Sequence, residues 1–241
     1  MKKFFKLLLI GSMVLSVSAT ALAKDKIYVG TNAEFPPFEY LENGEITGFD
    51  MDLVHEIGKL VDADIKIVDM GFDGLLPALQ MKKVDLVIAG MTANEERMKT
   101  VSFTQPYYTA SQVIIVKDGN DSIKSFADLK GKKVGVMLGF TGDMVVSEID
   151  GVKIERFNAA YAGIMALQAG KVEAIVLDSE PAKNYVAQNK GLVLADADAE
   201  QEEYAIAVRK NDKALLEKVE KALSEIKVNG TYDKLIQKYF N

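Results

Sequence analysis

Two fourteen-residue stretches, "PALQMKKVDLVIAG" at 77–90 and "MALQAGKVEAIVLD" at 165–178, align without a gap and share five identities. Each reads as an amphipathic helix end running through a short turn into an apolar strand. A chain that carries this unit twice is built from two related α/β halves. "KIYVGT" (26–31) opens the first half as a strand, and "KKVGVMLG" (132–139) opens the second. Between them, "GFDMDLVHEIGKLVDA" places Met51, Val54, Ile57, Leu60 and Val61 on one helical face. "DIKIVDM" reads as a second strand, "FDGLLPALQMKK" as a helix and "VDLVIAG" as a third strand. This alternation predicts α/β architecture with largely parallel sheets.

Two long extended segments, "TQPYYTASQVIIVKDG" (104–119) and "EEYAIAVRK" (202–210), flank the second half. Their order predicts that this half is inserted into the first. Residues 24–109 plus 206–241 then form lobe 1, residues 110–205 form lobe 2, and two strands cross between them. The helical patterns "DKALLEKVEKALSEIKVNG" and "TYDKLIQKYF" close the chain. Ligands of open parallel sheets bind beyond the carboxyl ends of the strands. The repeat puts Gly90 and Asp178 at equivalent strand ends, so both are expected to face one cleft.

The first 23 residues read as an export signal: a basic start "MKKFFK", a short apolar stretch and the small-residue site "ALA" at 21–23. The chain contains no cysteine, which rules out a lipoprotein anchor on cysteine and any disulfide framework. The expected product is a soluble, monomeric periplasmic protein that folds on its core alone. Without the three leader lysines, 26 basic residues face 35 acidic ones, a net charge of −9. That balance argues against nucleic acid or an anionic membrane as partner.

Just past Gly90, Thr92 and Glu95 fit a capping box, so a helix is expected to begin there. Exposed amides at such a junction form an anion site, and Arg97, one turn on, adds a bidentate fork that lysine lacks. Asp178 is followed by "SEPA", in which Ser179 fits a helix cap, although Asp178 fits that role as well. As a ligand group, Asp178 would pair with a cation. An anion site in one lobe and a cation site in the other suit a zwitterion, hence an α-amino acid. Phe35, in the proline-stiffened "NAEFPPFEY", and Phe72 are placed to sandwich a side chain, though core packing is the commoner use of phenylalanine. "MLGFTGDM" (137–144) matches neither a dinucleotide fingerprint nor a P-loop, and it offers backbone amides and Thr141. No cofactor is expected, and no metal-ligand spacing is present.

The segments "GTNAEFPPFEY", "GFDMDLVHEI", "FDGLLPALQ", "GMTANEERMKTVSFTQPYY", "LGFTGD" and "NGTYDKLIQKYF" occur in that order. Together they resemble the polar amino-acid-binding proteins of bacterial importers, the family-3 extracellular solute-binding proteins. The resemblance implies a two-lobed periplasmic-binding-protein fold of type II with a two-strand hinge, and an ATP-driven membrane permease as partner. It implies that Arg97 binds the ligand carboxylate with support from Ala89, Gly90 and Thr92. Asp178 would bind the ammonium, Phe35 and Phe72 would flank the ligand, and Thr141 would contact it from the second lobe. Departures bear on specificity: Asn32 stands where relatives that bind basic side chains or glutamine carry an acid. Met137 stands where glutamine-binding relatives carry lysine, and Phe140 replaces a common threonine. These favour a neutral side chain, unless Glu34 points inward. The rival reading is a dehydratase-like enzyme on the same scaffold, with Glu34 or Glu180 as its acid. His55, the only histidine, lies opposite the apolar stripe and reads as solvated. A soluble amino-acid sensor is a further alternative.

Overall fold

The computed structural model describes residues 24–195 and 201–240, so the export signal read at 1–23 lies outside the described residues. The chain opens with β1 (Asp25–Thr31). A small antiparallel sheet follows, of β2 (Glu34–Phe35), β3 (Glu39–Glu42) and β4 (Glu45–Thr47). Next come α1 (Phe49–Leu60), β5 (Ala63–Asp69), α2 (Phe72–Gln80), β6 (Leu86–Val87), α3 (Glu95–Met98) and β7 (Val101–Phe103). A ten-residue strand, β8 (Tyr108–Lys117), leads into the second lobe. There β9 (Lys133–Met137), α4 (Thr141–Ser147), β10 (Lys153–Phe157), α5 (Ala160–Gln168), β11 (Ala174–Asp178), α6 (Ser179–Gln188) and β12 (Leu192–Leu194) follow one another. The chain returns through β13 (Gln201–Tyr204) and β14 (Ala207–Arg209), and ends in α7 (Lys213–Val228) and α8 (Thr231–Phe240), both packed on α1.

The two main sheets have matching orders, β5-β1-β6-β14-β7 and β10-β9-β11-β8-β12. In each, three parallel strands are followed by an antiparallel pairing, so four of these five strands run the same way, and β13 adds a sixth strand to the second sheet by pairing antiparallel with β8. The internal repeat holds down to its hydrogen bonds. Val29 and Gly30 pair with Leu86 and Val87, and Val134 and Gly135 pair with the repeat-equivalent Ala174 and Ile175. Asp85 accepts from Tyr28 N at 3.0 Å, as Glu173 does from Lys133 N at 2.9 Å. The helix-to-strand turn is closed by Lys83 N to Ala78 O in one lobe and by Lys171 N to Ala166 O in the other, both at 2.9 Å. The acid swap between the two repeats therefore conserves one structural task.

Period-2 alternation sets the layers of the second sheet. Val134, Val136, Ala174, Val176, Ile114 and Val116 pack on one face, while Met137, Ile115, Ile175 and Leu177 join the larger cluster on the other. In α1, Met51, Val54 and Ile57 are buried, but Leu60 is 42% exposed, contrary to the expected stripe. It sits at the rim of a groove where α7 supplies Lys218 and Lys221 instead of apolar cover. The third strand is also shorter than "VDLVIAG" suggests, with only Leu86–Val87 laddered. Ile88 N still donates to Gly30 O, which carries the extended run toward the cleft.

Candidate ligand-binding site

The strand ends of both sheets converge where the lobes meet. Thr92 does not cap α3; Asn94 does, its side chain accepting from Arg97 N at 2.9 Å. Thr92 is instead drawn into a bridge with Tyr204 on the returning chain, and that pairing moves the helix start two residues on. Ser179 likewise lies inside α6, whose cap residue is Asp178, with no side-chain cap bond. The Asp178 carboxylate is thereby left for the cleft.

Arg97 is only 5% exposed. Its guanidinium donates to Thr92 O at 2.8 Å and, across the cleft, to Gly139 O at 3.0 Å. It also lies 5.3 Å from the centre of the Phe72 ring. Burial pulls its pKa down to about 10 against the opposing charges of Asp178 and Glu202, so the group stays cationic. Five N–H donors with two spent on carbonyls leave most of the fork for an anion.

Asp178 is 2% exposed at the end of β11. Burial, and then the charge of Glu202, hold its carboxyl well above the usual carboxylate range, with Arg97 and Gln112 offsetting part of the shift. Gln112 is its cross-strand partner on β8, and the Gln112 amide donates both to Asp178 and to Thr141 Oγ1. Glu202 completes the group from β13. Its Oε2 accepts from Thr92 Oγ1 at 2.8 Å and from Thr141 Oγ1 at 2.7 Å, one hydroxyl from each lobe.

Gly90 marks the floor on the first-lobe side. Its φ is +52°, and an added Cβ would sit 2.5 Å from Phe35 Cε1, so only glycine lets the ring reach this depth. Ala89 is buried just before it. Phe35 and Phe72 do face one another's neighbourhood, but Phe140 of the second lobe fills the space between them. Its ring centre lies 5.3 Å from that of Phe35 and 3.9 Å from that of Phe72. The lobes thus stand closed, with further contacts from Tyr185 OH to Glu34 O and from Asn94 to Met144.

Two nominated residues are committed elsewhere. Asn32 donates its amide to Met70 O at 3.1 Å, tying the β1 loop to the end of β5. Met137 is buried with its methyl against Gly163 of α5. Glu34 sits at the inter-lobe seam, where Tyr185 OH donates to its backbone carbonyl at 3.2 Å and burial pushes its carboxyl up. Glu180 pairs with Lys183 at 2.7 Å, and His55 is exposed on α1. Gln112 and Glu202 escaped the reading of the sequence. Gln112 had a signal, a lone amide in the apolar run "SQVIIV". Glu202 had none, because only the β8–β13 register carries it to the cleft.

A two-lobed protein with a buried guanidinium and a buried carboxyl at opposing strand ends has the architecture of a solute binder. The chain belongs to the bacterial extracellular solute-binding proteins, family 3, whose model matches residues 27–241. It is 36% identical over 242 residues to ABC transporter arginine-binding protein 1 of Escherichia coli strain K12, covering 98% of this chain and 99% of the relative. Among solved structures, an ancestral arginine-binding protein bound to arginine superposes with a TM-score of 0.88 at 47% identity, over 90% of this chain and 99% of that one. An ancestral arginine-binding protein bound to glutamine gives a TM-score of 0.87 at 48% identity, again over 90% and 99%.

Proposed function

We propose that this protein captures a free L-amino acid between its lobes in the periplasm and hands it to the permease of an ATP-driven importer. The observation that carries the reading is the pairing of buried Arg97 with buried Asp178 across one cleft. Arg97 takes the ligand carboxylate, with Gly90 and Thr92 on the same edge and Thr141 opposite. Asp178, oriented by Gln112, takes the ammonium. Phe35, Phe72 and Phe140 cover the side chain. Lobe 1 comprises residues 24–109 and 206–241, lobe 2 comprises 110–205, and β8 and β13 form the hinge about which they close.

For the side chain we propose a basic amino acid, arginine first, in place of the neutral one favoured by the loop residues alone. Glu202 adds a second carboxylate to the cleft, so Asp178 and Glu202 together outnumber the one guanidinium. A cationic side chain restores neutrality, and a planar cation suits phenylalanine faces. The relatives named for arginine agree with this choice. We read the protein as a binder and not an enzyme, since the acids nominated for catalysis lie on inter-lobe and surface contacts.

The test is a thermal-shift series against all twenty amino acids, after unfolding and refolding to strip carried-over ligand. Arginine should raise Tm most, by an amount that grows with its excess over Kd. A larger shift with a neutral amino acid would overturn the basic preference alone. Silence from every amino acid would overturn the capture role. Ligand-stimulated uptake by vesicles holding the permease addresses delivery.

A further inference from the structure

Beneath the cleft floor lies a second acidic pair that the ligand reading does not use. Glu39 on β3 and Asp50 in the first turn of α1 are both 0% exposed. Asp50 N donates to the carbonyl of Phe38, the residue before Glu39, at 2.9 Å, which sets the two acids side by side, and each carboxyl acts on the other's ionisation. Among the described residues neither enters an ion pair, and Glu39 Oε1, Glu39 Oε2 and Asp50 Oδ1 have no donor. The other Asp50 oxygen, Oδ2, accepts from Gly90 N at 2.9 Å and from Tyr107 OH at 2.7 Å.

We propose that Glu39 and Asp50 share a single proton at neutral pH, and that this neutral-acid contact is the positioning device for Gly90 and the cleft edge it forms. Two ionised carboxylates side by side, both fully buried and with no cation beside them among the described residues, are strongly disfavoured, as in catalytic carboxylate pairs. One proton on Glu39 supplies the donor that Asp50 Oδ1 lacks and leaves Oδ2 anionic for its two donors. Burial and the Asp50 charge both hold the Glu39 carboxyl well above its ordinary range, and Asp69 and Asp178 act the same way. The other titratable neighbours, Tyr107, Tyr204 and Tyr232, are pushed up too and stay neutral. The shared proton thus ties together four segments: β3, the start of α1, the end of β6, and Tyr107 at the entry to the hinge strand.

Glu39→Gln discriminates, because its amide donates to Asp50 as the shared proton does, while Asp50, already ionised at neutral pH, has no further proton to lose as pH is raised. Three readouts apply to the ligand-free full chain. Infrared difference spectra in an Asp178→Asn background, free of the other protonated buried acid, should show the carbonyl stretch of a protonated carboxylic acid that Glu39→Gln removes. The Gly90 amide resonance should titrate as pH is raised in the parent and stay fixed in Glu39→Gln. Glu39→Ala, which leaves Asp50 Oδ1 without a donor, should lower Tm where Glu39→Gln does not. The positioning role rests on the proposed function in one readout only, arginine affinity. Glu39→Gln should keep it within about threefold, and Glu39→Ala should weaken it about tenfold or more. With the spectra taken in that Asp178→Asn background, the absence of the acid carbonyl at neutral pH when Glu39 is present, or its persistence in Glu39→Gln, would overturn the shared proton. A Gly90 resonance indifferent to both substitutions would overturn the positioning role. If the spectra and Gly90 behave as expected but arginine does not bind the parent, the ligand assignment alone fails.

Discussion

Arg97 is one of three arginines among 29 basic residues, and all three earn that identity by using more than one nitrogen. Arg97 joins Thr92 O to Gly139 O. Arg156 grips both oxygens of Asp143 at 2.9 Å, and Asp143 Oδ2 also meets Gly139 N, so this arginine steadies the loop facing Arg97. Arg209 spans Val84 O, Asp85 and Asp212 at the head of β6. A lysine ammonium cannot fork in this way. Arg97→Ala is expected to leave a buried ligand carboxylate unpaired, at a cost of roughly 3–5 kcal/mol, or more than a hundredfold in affinity by calorimetry. Arg97→Lys should recover only part of the loss. Unchanged affinity in Arg97→Ala would remove this residue from the site. Asp178 carries its own signature. Its carboxyl is held well above the ordinary range, so pairing with an ammonium must drive off a proton. Calorimetry in buffers of different ionisation enthalpy should show net proton release on arginine binding, and Asp178→Asn should abolish it. Affinity should rise with pH until Asp178 is ionised in the free protein.

At the level of helices and strands, the repeat makes a comparison that each lobe controls for the other. Gly30 and Gly135 hold equivalent positions on the central strands β1 and β9. A Cβ on Gly30 would stand 3.2–3.3 Å from Leu75, Val84 and Val87, a tight fit that side chains can ease. On Gly135 it would stand 2.4 Å from Ile175 Cδ1 and 2.9 Å from the Phe157 ring. Gly135→Ala is therefore expected to destabilise by about 1–3 kcal/mol, with Gly30→Ala costing less. Denaturant melts of the two variants check the ranking, and equal costs would refute it. Helix and strand identities were legible from periodicity in this region because each element buries a face of its own. The helix start at Asn94 was not, because Thr92 is claimed by a bridge to Tyr204 that no local pattern encodes.

For the molecule as a whole, the buried acids set how stability varies with pH. Glu39 and Asp178 are raised well above their ordinary range, and Asp50 is pushed up to about 6 by burial. Each therefore binds its proton more tightly folded than unfolded. Its stabilising effect is complete below the unfolded carboxylate pKa of about 4 and is lost as pH climbs through the folded value. For Asp50 that window closes near 6, and for the other two it extends higher. Tm of the ligand-free protein should accordingly fall between about pH 5 and about pH 8, and Asp178→Asn should flatten the profile. A Tm that rises over this range would contradict the assignment.

Composition, periodicity and the repeat were enough to specify two related α/β halves, their strand ends, and the opposed Arg97 and Asp178. Those features are written in the order of buried and exposed residues along single elements, and water enforces that order locally. The third charge of the cleft is different. Glu202 lies 110 positions from Thr92 and 61 from Thr141, and only the antiparallel register of β8 with β13 and the contact of the lobes bring them together. The same holds for Glu39 and Asp50, two acids whose pairing becomes apparent only when the fold removes both from water. Cross-strand register and burial are properties of the assembled chain, so charge balance and protonation were decided there.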